Sequence, residues 1–291
     1  HKVLESMCYA LQIDPMGDQE IIDGQQYIRD KLEEWIPYYV DAQEENGYFD
    51  TYFILGANGN TPKWWDFNLH ELYCAGHFYE AAVAHYRATN GQDTRLFDMA
   101  IKNADYVCSL FGEGKWKQVP GHQEIELALV KLANLCNEIG GEYAEKAQHY
   151  ITLADFFLDT RGAEEGRHGT NHNNQYDQDH LPVAEQREAV GHAVRAGYMY
   201  TAMADINLLE QDGRYDEALL ALWDDIENKK TYVTGGIGSN PSNEGYGNAY
   251  DLPNDTAYCE TCANIANVMF NQRMNLLFGD SKYADIVERG L

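Results

Sequence analysis

The residues of this sequence that could do chemistry are concentrated in one stretch, Thr231 to Phe278. Glu244 lies there in a loop rich in glycine, asparagine and serine, and Glu260 and Cys262 follow within the tetrapeptide Cys-Glu-Thr-Cys. Carboxylates and thiolates are zinc ligands, and a separate carboxylate can act as a general acid or base. A lone loop carboxylate is usually only solvated, so the pairing with a second carboxylate and a thiol makes this stretch the candidate site.

The spacing of Glu260 and Cys262 connects this hypothesis to a helix boundary. Residues two apart diverge by about 200° on an α-helix but lie on one face of an extended segment. We therefore predict that the regular helix begins after Cys262, at Ala263. The rival interpretation uses Cys259 and Cys262, whose spacing is that of a redox pair or half of a zinc site. Free cysteines are also commonly small buried hydrophobic residues, and the spacing alone leaves these alternatives open.

Three histidines lie at predicted loop-to-helix junctions or inside predicted inner helices. They are His70 in HELYCAGH, His122 in PGHQEIE and His192 in AVGHAVRA. Taken singly, each is more often a hydrogen-bonded structural histidine than a ligand contact. Residue type alone does not decide between the two roles.

The rest of the chain is predicted to be helical. Apolar residues recur at helical spacing, and strand-like alternation is nearly absent. The predicted helices are 2–12, 18–43, 70–89, 93–110, 122–139, 142–158, 185–209, 215–228, 263–278 and 281–290. About ten helices in consecutive antiparallel pairs indicate an all-α fold.

Two architectures fit such pairs, an open helical-repeat solenoid and a closed α/α barrel. Solenoid repeats keep a fixed period, whereas the distances between pairs vary here and long loops fall at alternate junctions. We therefore predict that residues 1–291 form a partial α/α-barrel catalytic domain, incomplete at its N-terminus. The polar segment 162–185 is too long for a simple connector, so it should be an ordered functional loop or a disordered one.

Composition excludes some partners and leaves others open. The 291 residues contain 21 Lys and Arg against 47 Asp and Glu, a net charge of −26 that would repel a nucleic-acid backbone. No apolar run is long enough to span a membrane. Six cysteines spread over so large a chain do not resemble a disulfide framework. The sequence predicts a soluble, bacterial-type protein and does not decide between cytoplasm and periplasm.

Taken together, six segments of the sequence resemble the zinc-dependent β-L-arabinofuranosidases of glycoside hydrolase family 127 and the related family 146. They are HELYCAGH, PGHQEIELALV, QDHLPVAEQREAVGHAVRA, TYVTGGIGS, DLPNDTAYCETCA and YADIVERGL. The resemblance extends over essentially the whole chain. It implies an α/α-barrel catalytic domain followed by β-sandwich domains that are missing from this chain. It also implies release of terminal β-L-arabinofuranosyl groups, with retention of configuration, from an arabinose-containing glycan or oligosaccharide.

The resemblance assigns roles to the candidate residues. Glu244 matches the general acid/base of the family, and Glu260 and Cys262 match two ligands of its Zn²⁺. The sugar-binding histidines of the family match His70, His122 and His192. A zinc-bound cysteine thiolate is the implied nucleophile, since zinc keeps a thiol deprotonated.

The sequence departs from the family pattern in two ways. Asn243 and Tyr246 differ from the pattern around the acid/base. The family takes two further zinc ligands, one of them the nucleophile, from an adjacent pair of cysteines, and no such pair occurs in this chain. We therefore expect the nucleophile to lie beyond Leu291. The alternatives are a hydrolase of another uncommon pectic sugar and a non-catalytic, sugar-binding helical scaffold.

Overall fold

The computed structural model describes residues 1–163, 165–170 and 174–291. Within these ranges the chain forms α-helices, two short 3-10 helices and only isolated β-bridges. The α-helices are α1 (Lys2–Leu11), α2 (Gln19–Ala42), α3 (Thr51–Ile54), α4 (Glu71–Ala88), α5 (Arg95–Leu110), α6 (Ile125–Ile139), α7 (Glu142–Thr160), α8 (Ala193–Glu210), α9 (Asp216–Lys229), α10 (Thr261–Phe278) and α11 (Ser281–Gly290). The all-α prediction is confirmed.

The helices are arranged in an inner and an outer layer. Helices α4, α6, α8 and α10 pack side by side, each against the next, and form the inner layer. Both α4 and α8 are buried along most of their length, as expected for helices with neighbours on all sides. Helices α5 and α7 lie outside them, and α5 buries the face of Phe97, Ala100, Ala104 and Val107. This alternation is that of an α/α barrel.

The start of α8 differs most from the prediction. A helix was expected from residue 185, but α8 begins at Ala193. Val183–Glu185 forms a separate 3-10 helix, and Gly191 adopts a left-handed φ of 71°. The apolar residues Ala189 and Val190 prolong the sequence pattern of the helix although they lie in irregular chain. The result is an irregular segment that leads directly to His192, the N-cap of α8.

A glycine allows α8 and α10 to approach closely. A β-carbon on Gly197 would lie 2.7 Å from the β-carbon of Ala266 on α10. Two carbons this close would be far inside van der Waals contact. Helices α8 and α10 can therefore keep their separation only because residue 197 has no side chain. The position of α10, and of the residues at its N-terminus, is thereby tied to α8.

The described parts of segment 162–185 are held by buried polar contacts. The side chains of Arg167 and Asp179 are buried and form an ion pair at 3.1 Å. Asp179 also accepts the backbone N–H of Gly162 at 2.7 Å. These contacts agree with an ordered loop in the described residues; residues 164 and 171–173 of the segment lie outside them.

Among the residues that the structure describes, no helix combines the length and the apolar character needed to cross a bilayer.

Candidate active site

Glu244 lies beside the N-terminus of α8. Its carbonyl oxygen accepts the backbone N–H of Ala193 at 3.1 Å, and its backbone is left-handed, with a φ of 53°. The Glu244 side chain is 48% exposed. Its carboxylate has two partners: the Tyr258 hydroxyl donates to Oε1 at 3.0 Å, and His192 Nε2 lies 3.0 Å from Oε2. A solvent-accessible carboxylate held at both oxygens suits a general acid or base.

The loop that carries Glu244 depends on two glycines. The N–H of Tyr246 donates to the carbonyl oxygen of Gly191 at 2.9 Å, which pairs the loop with the segment before α8. A β-carbon on Gly245 would lie 2.2 Å from that same oxygen. Gly191 is itself confined, because a β-carbon there would lie 1.9 Å from the carbonyl oxygen of Gln175. Only glycine permits these backbones to approach so closely, and this approach brings Glu244 to His192.

The three predicted histidines form a continuous row at the N-terminal ends of the inner helices. His70 precedes α4, His122 lies just before α6, and His192 caps α8. The ring centroids of His70 and His122 are 6.2 Å apart, and those of His122 and His192 are 5.5 Å apart. Residues from three separate segments therefore meet at one end of the barrel, beside Glu244.

All three imidazoles are disposed to be neutral. Burial, followed by the positive charge of Arg195, lowers the pKa of His70 and of His192. The same two causes lower the pKa of His122 well below its ordinary value. The His122 Nδ1 lies 2.8 Å from the carbonyl oxygen of Gln123, so Nδ1 carries the hydrogen and Nε2 is left as an acceptor. Neutral rings offer donors and acceptors of the kind that sugar hydroxyls require.

Glu260 and Cys262 lie at the start of α10, and the predicted helix boundary is wrong by two residues. The helix begins at Thr261, with Glu260 as an extended N-cap (φ −63°, ψ 139°). The extended cap leaves the Glu260 carboxylate beside the Cys262 thiol. Interaction with Glu260, followed by burial, raises the pKa of this thiol. Glu260 Oε2 is buried without a hydrogen-bond partner.

Cys259 and Cys262, the rival pair, are not joined by a disulfide. Both are free thiols, and Cys259 turns the chain with a left-handed φ of 41°. The backbone N–H of Cys259 donates to the carbonyl oxygen of Gly238 at 2.9 Å. A β-carbon added to Gly236 would lie only 3.1 Å from the sulfur of Cys259. Cys259 is thus packed against the glycine-rich loop.

A protein-family model described as the GH127 catalytic domain of β-L-arabinofuranosidase matches residues 3–291. The chain belongs to this GH127 family. It is 36% identical, over its whole length, to a non-reducing end β-L-arabinofuranosidase of Bifidobacterium longum subsp. longum. Among solved structures it is similar to a GH127 β-arabinofuranosidase, with a TM-score of 0.86 and 41% identity over 99% of this chain. A GH127 β-L-arabinofuranosidase of Geobacillus stearothermophilus T6 has a TM-score of 0.85 and 38% identity over the same share.

This GH127 chain corresponds to only part of each relative. It covers 44% of the Bifidobacterium enzyme, and 43% and 44% of the two solved chains. The similarity therefore concerns less than half of each relative, over the region that the family model describes as catalytic.

A further grouping in the GH127 site was not predicted from the sequence. Three side chains each place one ligand atom within 4.8 Å of the other two, a spacing at which they could hold a metal ion. They are His192, Glu244 and Glu260. The sequence pattern pairs Glu260 with Cys262 instead. Because His192 and Glu244 are hydrogen-bonded to each other, Glu260 is the member of this group that has an oxygen free for an ion.

Sequence reasoning missed two residues that organise the GH127 site. Tyr258 lies in the same motif as Glu260, but a phenol is neither a typical metal ligand nor a typical acid at neutral pH, so it attracted no attention. Arg195 donates to the carbonyl oxygen of Gly121 and stacks on the ring of Tyr176 at 4.6 Å. Its position three residues after His192 was a signal, since residues at that spacing share a helix face.

Proposed function

We propose that this chain forms the catalytic barrel of a retaining glycoside hydrolase that releases terminal β-L-arabinofuranosyl groups, with Glu244 as its general acid/base. The observation that carries the proposal is the placement of Glu244, half-exposed and hydrogen-bonded at both oxygens. It lies at the end of the barrel where the three histidines meet.

The surroundings of Glu244 support a sugar as the substrate. The neutral rings of His70 and His122 can hydrogen-bond hydroxyl groups without requiring a charge on the ligand. A polar cavity of about 600 Å³ borders the loop that carries Glu244 and is lined by Asn240, Asn243 and Asp251, among others, but not by Glu244 or the three histidines. Because it lies beside the acid/base and does not contain it, this cavity suits the remainder of an arabinose-containing glycan and not the sugar that is cleaved.

The residues at the start of α10 fit the zinc ion that the GH127 resemblance implies. Glu260 has a buried oxygen with no protein partner, and the Cys262 thiol is adjacent to it. A carboxylate oxygen and a sulfur are both ligands of zinc. We propose that these two residues hold the ion, which when bound would keep a cysteine nucleophile as thiolate. Residues 1–291 contain no adjacent pair of cysteines, so the proposal places the nucleophile outside them.

Glu244 acts twice in the proposed reaction. It first gives its proton to the leaving oxygen while the nucleophile bonds to the anomeric carbon. It then takes a proton from water as that water displaces the nucleophile. Two successive displacements at one carbon retain its configuration.

The test uses the full-length protein with 4-nitrophenyl β-L-arabinofuranoside and its α-anomer. We expect hydrolysis of the β-anomer only, and proton NMR recorded before mutarotation should show β-L-arabinose as the first product. Hydrolysis of neither glycoside, or first release of the α-sugar, would contradict the proposal.

A further inference from the structure

His192 is fully engaged by protein atoms. Its Nδ1 accepts the backbone N–H of Arg195 at 3.4 Å, which caps α8, and its Nε2 lies 3.0 Å from Oε2 of Glu244. A residue that binds the sugar would need a free ring nitrogen. Neither nitrogen is free while Glu244 occupies this position.

The cap fixes the hydrogen positions of His192. A backbone N–H can only donate, so Nδ1 carries no hydrogen and the neutral ring has its hydrogen on Nε2. His192 Nε2 therefore donates to Glu244 Oε2 and cannot accept from it. A proton on Oε2 could not point towards Nε2 and would weaken the hydrogen bond that Oε2 accepts, so this oxygen is disfavoured as the site of the catalytic proton.

Tyr258 offers the other oxygen of Glu244 a partner of a different kind. Its hydroxyl donates to Oε1 at 3.0 Å. A hydroxyl group has one hydrogen and two acceptor lone pairs, and it can rotate. It can donate to Oε1 when Glu244 is ionised and accept from Oε1 when Glu244 is protonated.

We propose that His192 and Tyr258 are positioning residues for Glu244 and that Oε1 is the oxygen that exchanges the proton. The inference rests on the proposed function, and it gives His192 a role other than sugar binding. In the first half-reaction the Oε1–H bond breaks, and the leaving oxygen takes the proton and keeps the electron pair of the glycosidic bond. In the second, water transfers a proton to Oε1 as its oxygen bonds to the anomeric carbon and the nucleophile departs with its electron pair.

A positioning role predicts a dependence on the leaving group. An alcohol leaves only with its proton, whereas 4-nitrophenolate leaves readily without one. Loss of a residue that aligns the acid therefore impairs cleavage of an alkyl glycoside more than that of an aryl glycoside. Loss of a residue that binds the sugar impairs both equally, because both substrates carry the same sugar.

The experiment compares kcat/KM of full-length variants on methyl and 4-nitrophenyl β-L-arabinofuranoside. Tyr258→Phe removes only the hydroxyl, from a partly exposed side chain. We expect it to lower kcat/KM roughly 10-fold on the methyl glycoside and about 2-fold or less on the aryl glycoside, the range that one hydrogen bond spans. His192→Leu should show the same selectivity with a larger loss, and His192→Gln, which keeps a donor near the Nε2 position, should recover part of it. His70→Leu is the sugar-binding control, with equal losses on both substrates.

The outcomes separate the inference from the function on which it rests. An inactive wild-type protein overturns the proposed function itself. An active wild type with equal losses on both glycosides for Tyr258→Phe, or no loss at all, overturns the roles of Tyr258 and Oε1. If His192→Leu shows the same pattern as His70→Leu, His192 binds the sugar instead. Because Tyr258→Phe is a minimal change, its result is decisive even where His192→Leu fails to fold.

Discussion

At the scale of single residues, Cys262 differs from the other thiols of the chain. All six cysteines lie in the described residues, and Cys262 is the exposed one. Burial raises the pKa of Cys8 and of Cys136 to about 12, so these two are inert packing residues. A bound cation would reverse the effect of Glu260 on the Cys262 thiol, because it would attract both groups as anions.

Zinc content should therefore depend on Cys262 and not on its neighbour. In full-length protein, we expect Cys262→Ser to lose most of the zinc that the wild type retains after dialysis, because a serine hydroxyl replaces a thiolate ligand. Cys259→Ser is the matched control and should keep its zinc. Elemental analysis by mass spectrometry measures both variants. Equal zinc content in Cys262→Ser and the wild type would remove Cys262 from the ligand set.

Residue types could be predicted from the sequence, but their partners could not. Glu244, Glu260 and Cys262 carry recognisable chemistry, and the structure brings them to one end of the barrel. Tyr258 matters through one hydrogen bond, to a residue in a loop that folds back on its motif. The tautomer of His192 depends on its position as a helix cap. Both facts are properties of three-dimensional contacts, which spacing along the chain does not contain.

At the scale of elements, the loop of Glu244 and the N-termini of α8 and α10 form one unit. The loop pairs with the segment before α8, and Cys259, just before α10, donates to Gly238 within the same loop. Gly245 has no room for a side chain at the pairing with Gly191. The position of the acid/base is thus set by a backbone contact.

Replacing Gly245 with alanine should displace this loop. The added β-carbon would lie 2.2 Å from a carbonyl oxygen, so the backbone must shift. Overpacking of this kind costs about 1–3 kcal/mol of stability, and misplacing a catalytic group by about 1 Å can lower turnover roughly 100-fold. Gly24→Ala, in α2 with nothing within 4 Å of the added carbon, is the control and should leave turnover unchanged. Thermal melts and kcat measure the two effects; a fully active Gly245→Ala protein would show that the contact does not position Glu244.

Element existence was more predictable than element boundaries. Ten long helices follow from apolar periodicity, because each must bury one face. The start of α8 was missed because Ala189 and Val190 are apolar but lie in irregular chain. The predicted start of α10 is two residues too late, because an extended N-cap at Glu260 is enough to bring its side chain beside Cys262 and no longer extended segment is needed.

At the scale of the whole molecule, the acidic chain buries several of its carboxyl groups. Glu71, at the start of α4, accepts hydrogen bonds from the Tyr48 hydroxyl and from the backbone N–H of Trp64, each at 2.5 Å. Burial raises its pKa to about 7. The folded protein therefore binds this proton more tightly than the unfolded chain does.

The pH dependence of stability should reveal Glu71. Its folded pKa of about 7 exceeds the ordinary value of 4.5, so its contribution to stability is present at pH below 4.5 and is lost as the pH rises towards 7. The loss amounts to about 3 kcal/mol at most, since one pKa unit corresponds to about 1.4 kcal/mol. The free energy of unfolding is measured with urea between pH 4.5 and 8 for the wild type, Glu71→Gln and the exposed control Glu20→Gln. We expect this free energy to fall less with rising pH in Glu71→Gln than in the other two proteins. Parallel curves for all three proteins would contradict the raised pKa of Glu71.

Glu244 as the acid/base of a retaining enzyme is tested most directly by chemical rescue with azide. In full-length protein, Glu244→Ala should lower turnover of the methyl glycoside about 10²- to 10⁴-fold, the usual contribution of a general acid or base. Azide needs no general base, so it should restore turnover of 4-nitrophenyl β-L-arabinofuranoside and yield β-L-arabinofuranosyl azide, the same anomer as the substrate. Undiminished hydrolysis by Glu244→Ala, or an α-L-arabinofuranosyl azide product, would contradict this role for Glu244.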